Sequence, residues 1–134
     1  MSFVLDASVT ACWCFPDEQS AAADAAMRRL ADSEALVPPL WALEIRNILV
    51  VNERRGRIGP EDADAFLRDL SLLPIRVRDD TDAGMVLRLA RKHKLTAYDA
   101  AYLCLALRSA MPLATLDRSL ARAVQAEGLQ VITA

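Results

Sequence analysis

SFVLDASVTACW, residues 2–13, is an apolar run that ends on an acid and passes straight into a helical pattern. LATLDRSLARAV, residues 113–124, repeats the same grammar near the other end of the chain. Short, unbroken apolar runs of this kind are what strands covered on both faces of a parallel sheet look like. In each case the acid, Asp6 or Asp117, then projects from the C-terminal end of its strand.

Working outward, the remaining segments alternate in the same way. The strand SFVL precedes a helix around 8–14 and an alanine-rich helix from about 19 to 31, after Pro16. The strand ALVP is followed by a helix over 40–55, stopped by RRGR, and by one that Pro60 opens and that runs to Leu73. The strand IRV leads to a helix of about 82–94, which DDTD can cap, and to an apolar helix over 97–109. The strand LAT, a helix over 118–127 stopped by Gly128, and a last strand QVIT complete the chain. Such alternation predicts an α/β fold with a parallel sheet flanked by helices, and residues 1–134 have the length of a single domain. Ligands of such sheets bind at the C-terminal strand edge, where the strand order reverses.

Two more acids lie where a merely solubilising charge is not expected. From Ala97 to Leu107 the sequence AYDAAYLCLAL is apolar or aromatic except at Asp99. No Lys or Arg stands at helical spacing to pair with it. In LWALEIRNILVV, residues 40–51, the helical wheel turns Glu44 inward together with Leu40, Trp41, Asn47, Ile48 and Val51. A buried carboxylate is normally paired or holds a metal. Taken singly, Asp6 and Asp117 read equally well as helix N-caps, and Glu44 and Asp99 read alternatively as partners of a distant arginine. Four acids gathered at one sheet edge repel unless a cation sits among them. Oxygen-only ligands select a hard ion, Mg²⁺ or Mn²⁺. Magnesium favours phosphate oxygens as its remaining ligands, which points to a phosphate ester as substrate and to hydrolysis by a metal-activated water.

Composition narrows the field. The single histidine, His93 in RKHK, argues against triad hydrolysis and histidine-rich zinc sites. No glycine-rich phosphate loop is present among four glycines. Cys12, Cys14 and Cys104 lack zinc-ligand spacing and read as small buried hydrophobes. An apolar fraction of 54% suggests some burial between chains, hence a homo-oligomer. No signal peptide or membrane span is expected, so the reading is cytoplasmic. The net charge of −2 gives no broad pull toward nucleic acid.

FVLDASV, PPLWALEIRNIL, LTAYDAAYLCLA and LATLDRSL together resemble the PIN-domain ribonucleases, most closely the VapC-type toxins of bacterial toxin–antitoxin pairs. The resemblance spans essentially the whole chain. It implies a five-stranded parallel sheet between helices, Mg²⁺- or Mn²⁺-dependent endoribonuclease activity, dimerisation, and inhibition by a small antitoxin. Position by position, Asp6, Glu44, Asp99 and Asp117 match the four acidic positions of the family. Ser8 matches the hydroxyl residue after the first acid, Asn47 the polar residue one turn after the second, and Thr115 the hydroxyl two before the last. Ser119 stands where some members carry a further acid. The roles implied are metal ligation by Asp6, Asp99 and Asp117, orientation or deprotonation of the attacking water by Glu44, and support from Asn47 and from the Ser8 and Thr115 hydroxyls, which hold carboxylates in place or else read as ordinary helix-start and strand-end hydroxyls. Arg54, Arg55, Arg57 and Arg118, with Arg122, read either as RNA-backbone contacts or as a solvated charge run. Trp13, Phe15 and Trp41 are candidates for an exposed surface that an antitoxin would cover. The alternatives are a PIN-like nuclease of RNA processing, and a non-catalytic interaction module.

Overall fold

A computed structural model of the chain describes residues 2–133. The strands form on short apolar runs, deepest at the centre of the sheet: Phe3, Val4, Leu5, Ala35 and Val37 have no exposed surface, and Leu36 has 2%. They make β1 (Phe3–Leu5), β2 (Ala35–Val37), β3 (Ile75–Val77) and β4 (Leu113–Ala114), all parallel, in the order β3-β2-β1-β4. Register is set by the pairs Phe3 with Ala35, Val4 with Leu113 and Leu36 with Arg76.

The helices are α1 (Ala7–Cys14), α2 (Ala21–Arg29), α3 (Leu40–Arg54), α4 (Pro60–Leu70), α5 (Ala83–His93), α6 (Ala97–Ser109) and α7 (Arg118–Ala126). Their starts follow local chemistry. Ser20 caps α2 through the Ala23 N–H, Asp82 caps α5 through Met85, and Thr96 caps α6 through Asp99. Each capping oxygen satisfies an N–H that the first turn leaves without a partner. Pro60 opens α4 at a position where its missing N–H costs nothing. Gly56 and Gly128, at φ +74° and +84°, end α3 and α7 in the left-handed region.

Two sequence expectations shift. The last segment, QVIT, forms an isolated bridge between Leu113 and Val131 rather than a fifth strand. Among the described residues two backbone bonds tie it in, from Leu113 N–H to Gln130 and from Ile132 N–H to Leu113. The buried stripe of α3 is Trp41, Ile45, Leu49 and Asn52, so Glu44 and Asn47 lie beside the core rather than in it. By contrast α6 is buried on every side from Ala100 to Ala106, as its all-apolar sequence requires. Asp99 stands just before that run, in the first turn.

The order β3-β2-β1-β4 places the reversal between β1 and β4. After β1 the chain moves outward through β2 and β3, then returns to the other side of β1 as β4. The C-terminal ends of β1 and β4, followed by Asp6 and by Thr115–Asp117, therefore diverge into helices on opposite sides and leave a crevice between them.

Candidate active site

That crevice is a cleft of about 560 Å³ lined by Asp6, Glu44, Asp99 and Asp117, together with Ser8 and Asn47. Its walls are apolar, from Leu40, Leu43, Ile48 and Tyr98. Acids from the ends of β1 and β4, from α3 and from the first turn of α6 thus meet in one cavity.

Asp6 is fixed most firmly. Its Oδ2 accepts hydrogen bonds from Thr115 Oγ1 at 2.6 Å and Ser8 Oγ at 2.8 Å. The same hydroxyls accept in turn, Ser8 Oγ from Leu116 N–H at 3.0 Å and Thr115 Oγ1 from Asp117 N–H at 3.0 Å. The two hydroxyls therefore lock the end of β1 to the turn after β4. Asp6 occupies the N-cap of α1 but makes no side-chain capping bond, whereas Asp117 does cap α7, through Leu120 N–H at 2.9 Å. The capping reading of the sequence holds for Asp117 and not for Asp6.

Among the described residues, none of the four acids forms an ion pair with a cationic side chain. The arginine partner considered for Glu44 and Asp99 is thus not there. Burial raises the Asp6 carboxyl above its ordinary value, against the pull of the Thr115 and Ser8 hydroxyls. Burial likewise raises Asp99, helped by the charges of Asp6 and Asp117. Glu44 is raised by burial and by Asp6 and Asp99, and held back by a hydrogen bond from Tyr102. A set of oxygen donors with uncompensated charge and mutual repulsion has the chemistry of a hard divalent cation site. As they stand, no three acidic, histidine or cysteine side chains among the described residues converge closely enough to ligate a single ion.

The model of the PIN domain family matches residues 3–125. The chain belongs to the PIN domain family. It is 35% identical to Ribonuclease VapC3 of Pyrobaculum aerophilum over 124 residues, 90% of this chain and 93% of that protein. Among solved structures it resembles PAE2754 from Pyrobaculum aerophilum, with a TM-score of 0.73 and 28% identity over 98% of this chain and 92% of that one. The fold also matches FitAcB from Neisseria gonorrhoeae (TM-score 0.67, 16% identity, 99% and 97% covered). A third likeness is to VapBC2 from Rickettsia felis bound to a DNA fragment from their promoter (TM-score 0.67, 14% identity, 98% and 97% covered).

The PIN-domain cleft holds a residue that the sequence reading passed over. Tyr102, one turn after Asp99 in α6, is fully buried, and its hydroxyl donates to Glu44 Oε1 at 2.5 Å. Burial and the bond to Glu44 push the phenol well above its ordinary value, so it remains a donor. The signal in the sequence was the i+3 spacing of Tyr102 from Asp99, which put both on one face. Because this bond lowers the Glu44 carboxyl, Tyr102→Phe is expected to raise the Glu44 pKa further while the ring continues to fill the core. Carboxyl-carbon NMR titration of metal-free protein checks it; an unchanged Glu44 would contradict the role.

The candidate basic residues separate. Arg54 and Arg55 are exposed at the C-terminal end of α3, about 15 Å along its axis from Glu44 at ~1.5 Å per residue. Arg57 is not free. It bonds Asn52 Oδ1 at 2.7 Å, pairs with Asp17 at 3.0 Å and Glu18 at 3.3 Å, and stacks 4.5 Å from the Phe15 ring centroid. Arg118 is exposed immediately after Asp117.

The aromatic candidates for an exposed surface are corrected as well. Phe15 and Trp41 are buried, at 4% and 8% exposure, and Trp13 is half-buried with its indole N–H on the Ala23 carbonyl. Their size won them places in the core, with the Trp41 N–H satisfied by Thr10 Oγ1 at 3.0 Å. The large apolar side chains actually exposed at the cleft are Leu43 at 72% and Tyr98 at 64%.

Proposed function

We propose that this PIN-domain chain is a Mg²⁺- or Mn²⁺-dependent endoribonuclease, the toxin component of a type II toxin–antitoxin system. The observation that carries this reading is the meeting of four acids without cationic partners in one cleft at the sheet's switch point. The likeness to Ribonuclease VapC3 over nearly all of both chains supports RNA as the substrate.

Asp6, Asp99 and Asp117 are the residues that would hold the ion. A divalent cation bound there lowers the pKa of a water and stabilises the oxygen that departs from phosphorus. Ser8 and Thr115 keep the Asp6 carboxylate in one orientation, and Asp117 is positioned by its capping bond to α7. Glu44, anchored through one oxygen by Tyr102, has its second oxygen for the proton of the attacking water. Burial and the charges of Asp6 and Asp99 raise its affinity for protons, the direction that favours a base. Asn47, one turn further along α3, lines the same cleft and can donate to a phosphate oxygen.

The reading includes a cytoplasmic homodimer and an antitoxin partner. An acidic cleft rimmed by exposed Leu43 and Tyr98 is suited to a protein that covers the apolar rim and places a guanidinium among the carboxylates. No helix among the described residues is long and apolar enough to cross a membrane.

Cleavage of RNA by the purified chain is expected to require Mn²⁺ or Mg²⁺ and to stop in EDTA. Cleavage that continues undiminished in EDTA removes the metal from the mechanism. A short reading frame next to this gene should encode a protein that binds the chain and blocks cleavage; without such a partner the nuclease belongs to RNA processing.

A further inference from the structure

A second cleft, of about 290 Å³, opens between the end of α5 and the face of α7, lined by His93, Lys94, Ser119, Arg122, Ala123 and Ala126. Its charge is opposite to that of the catalytic cleft. The nearby acid Glu127 is already engaged, by Lys92 Nζ at 2.7 Å and His93 Nε2 at 2.6 Å. Lys94 and Arg122 have no carboxylate partner among the described residues. An ammonium, a guanidinium and a hydroxyl around an apolar floor form a donor-rich site in a chain whose net charge is −2.

Lys94 is held there in an unusual backbone state. It terminates α5 at φ 55° and ψ 43°, the left-handed region in which glycine is least strained. Both walls of the cleft are also continuous with the acids. Lys94 lies two residues before Thr96, which caps the turn that carries Asp99. Ser119 lies two residues after Asp117, and Arg122 follows one turn later, about 7.5 Å along the α7 axis from Asp117 at ~1.5 Å per residue.

We propose that this cleft is a phosphodiester subsite in which Lys94, Ser119 and Arg122 hold the RNA backbone within a few nucleotides of the scissile bond. The inference rests on the nuclease reading and adds to it the course of the strand: from the acids, over the start of α7, into the basic cleft. It depends on phosphate alone and carries no base preference.

The test uses a fluorescein-labelled oligouridylate and the full chain carrying Asp99→Asn to prevent cutting, with Lys94→Gly or Arg122→Gln added. Arg28→Gln, on α2, serves as a control. Each cleft substitution is expected to weaken binding about 5- to 10-fold and to reduce the slope of log affinity against log salt by about 0.7, the value of one phosphate contact on a single strand. The control should match the parent. Lys94→Gly relieves a left-handed residue, so its melting temperature should be at least that of the parent, which separates lost binding from lost folding. With Asp99 restored, KM should rise while kcat holds. Matched affinity and salt slope in both cleft variants would overturn the subsite and leave the nuclease standing. A weakening seen with RNA but not with a DNA strand of matched sequence would overturn phosphate recognition. If the parent neither binds nor cuts RNA, the nuclease reading fails and the subsite with it.

Discussion

Asp99→Asn is expected to cut Mn²⁺-dependent RNA cleavage by about 100-fold or more, and Asp6→Asn to do at least as much. The substitution keeps the shape of the side chain and removes only the charge, so the loss reports on metal ligation rather than on packing. The Asp99 carboxyl is bonded only locally among the described residues, by Thr96, whose Oγ1 also accepts from the Asp99 backbone N–H. Asp6→Asn still leaves an amide oxygen to accept from Thr115 and Ser8, so the β1–β4 lock survives in part. Single-turnover cleavage rates on a defined RNA, measured with circular dichroism as a folding control, decide the matter. Parent-like rates in a folded Asp99→Asn protein would remove Asp99 from the metal site.

The second large effect concerns stability without metal, and its sign follows from the direction of three pKa values. Asp6, Asp99 and Glu44 are all raised above ordinary values of 3.8, 3.8 and 4.5. A carboxyl raised in the folded state binds its proton more tightly folded than unfolded. Its stabilising share is complete below the ordinary value and is lost as pH rises through the raised one. Asp80 and Glu127, lowered chiefly by a backbone hydrogen bond and by the bond from Lys92 respectively, act in the opposite sense, losing their share as pH falls below ordinary values. In EDTA the melting temperature is therefore expected to fall as pH is raised above the ordinary carboxyl values of 3.8 to 4.5, and to fall less in Asp99→Asn. At pH 7 the metal-free variant should be at least as stable as the parent, because a repelling charge has gone. Mn²⁺ should raise the melting temperature of the parent and do little for the variant, since only a folded site binds the ion. A marked loss of stability in metal-free Asp99→Asn, with no response of the parent to Mn²⁺, would make Asp99 a structural residue.

Much of this was written in the chain. The apolar runs before Asp6 and Asp117, the breakers at Gly56, Pro60 and Gly128, and the cap within DDTD are local signals, and each led to an element close to its expected bounds. The four acids stood out because burying charge is costly wherever the chain happens to fold. A pattern of 3.6 residues is less decisive when a helix is apolar on most of its surface. The wheel for α3 turned the Glu44 side inward, and packing instead selected the stripe of Trp41, Ile45, Leu49 and Asn52.

Tertiary structure alone decided the rest. That the acids share one cleft depends on strand order, which places β4 beside β1 across more than a hundred residues of chain. The Tyr102–Glu44 bond, the hydroxyl lock on Asp6 and the capture of Arg57 by Asp17 and Glu18 all join residues far apart in sequence. So does the burial of Phe15 and Trp41, which composition alone left free to lie on either side of the surface. Hydrophobic pattern and capping act over a few residues and can be read in the chain, whereas a hydrogen bond between α3 and α6 exists only after the sheet has brought the two helices together.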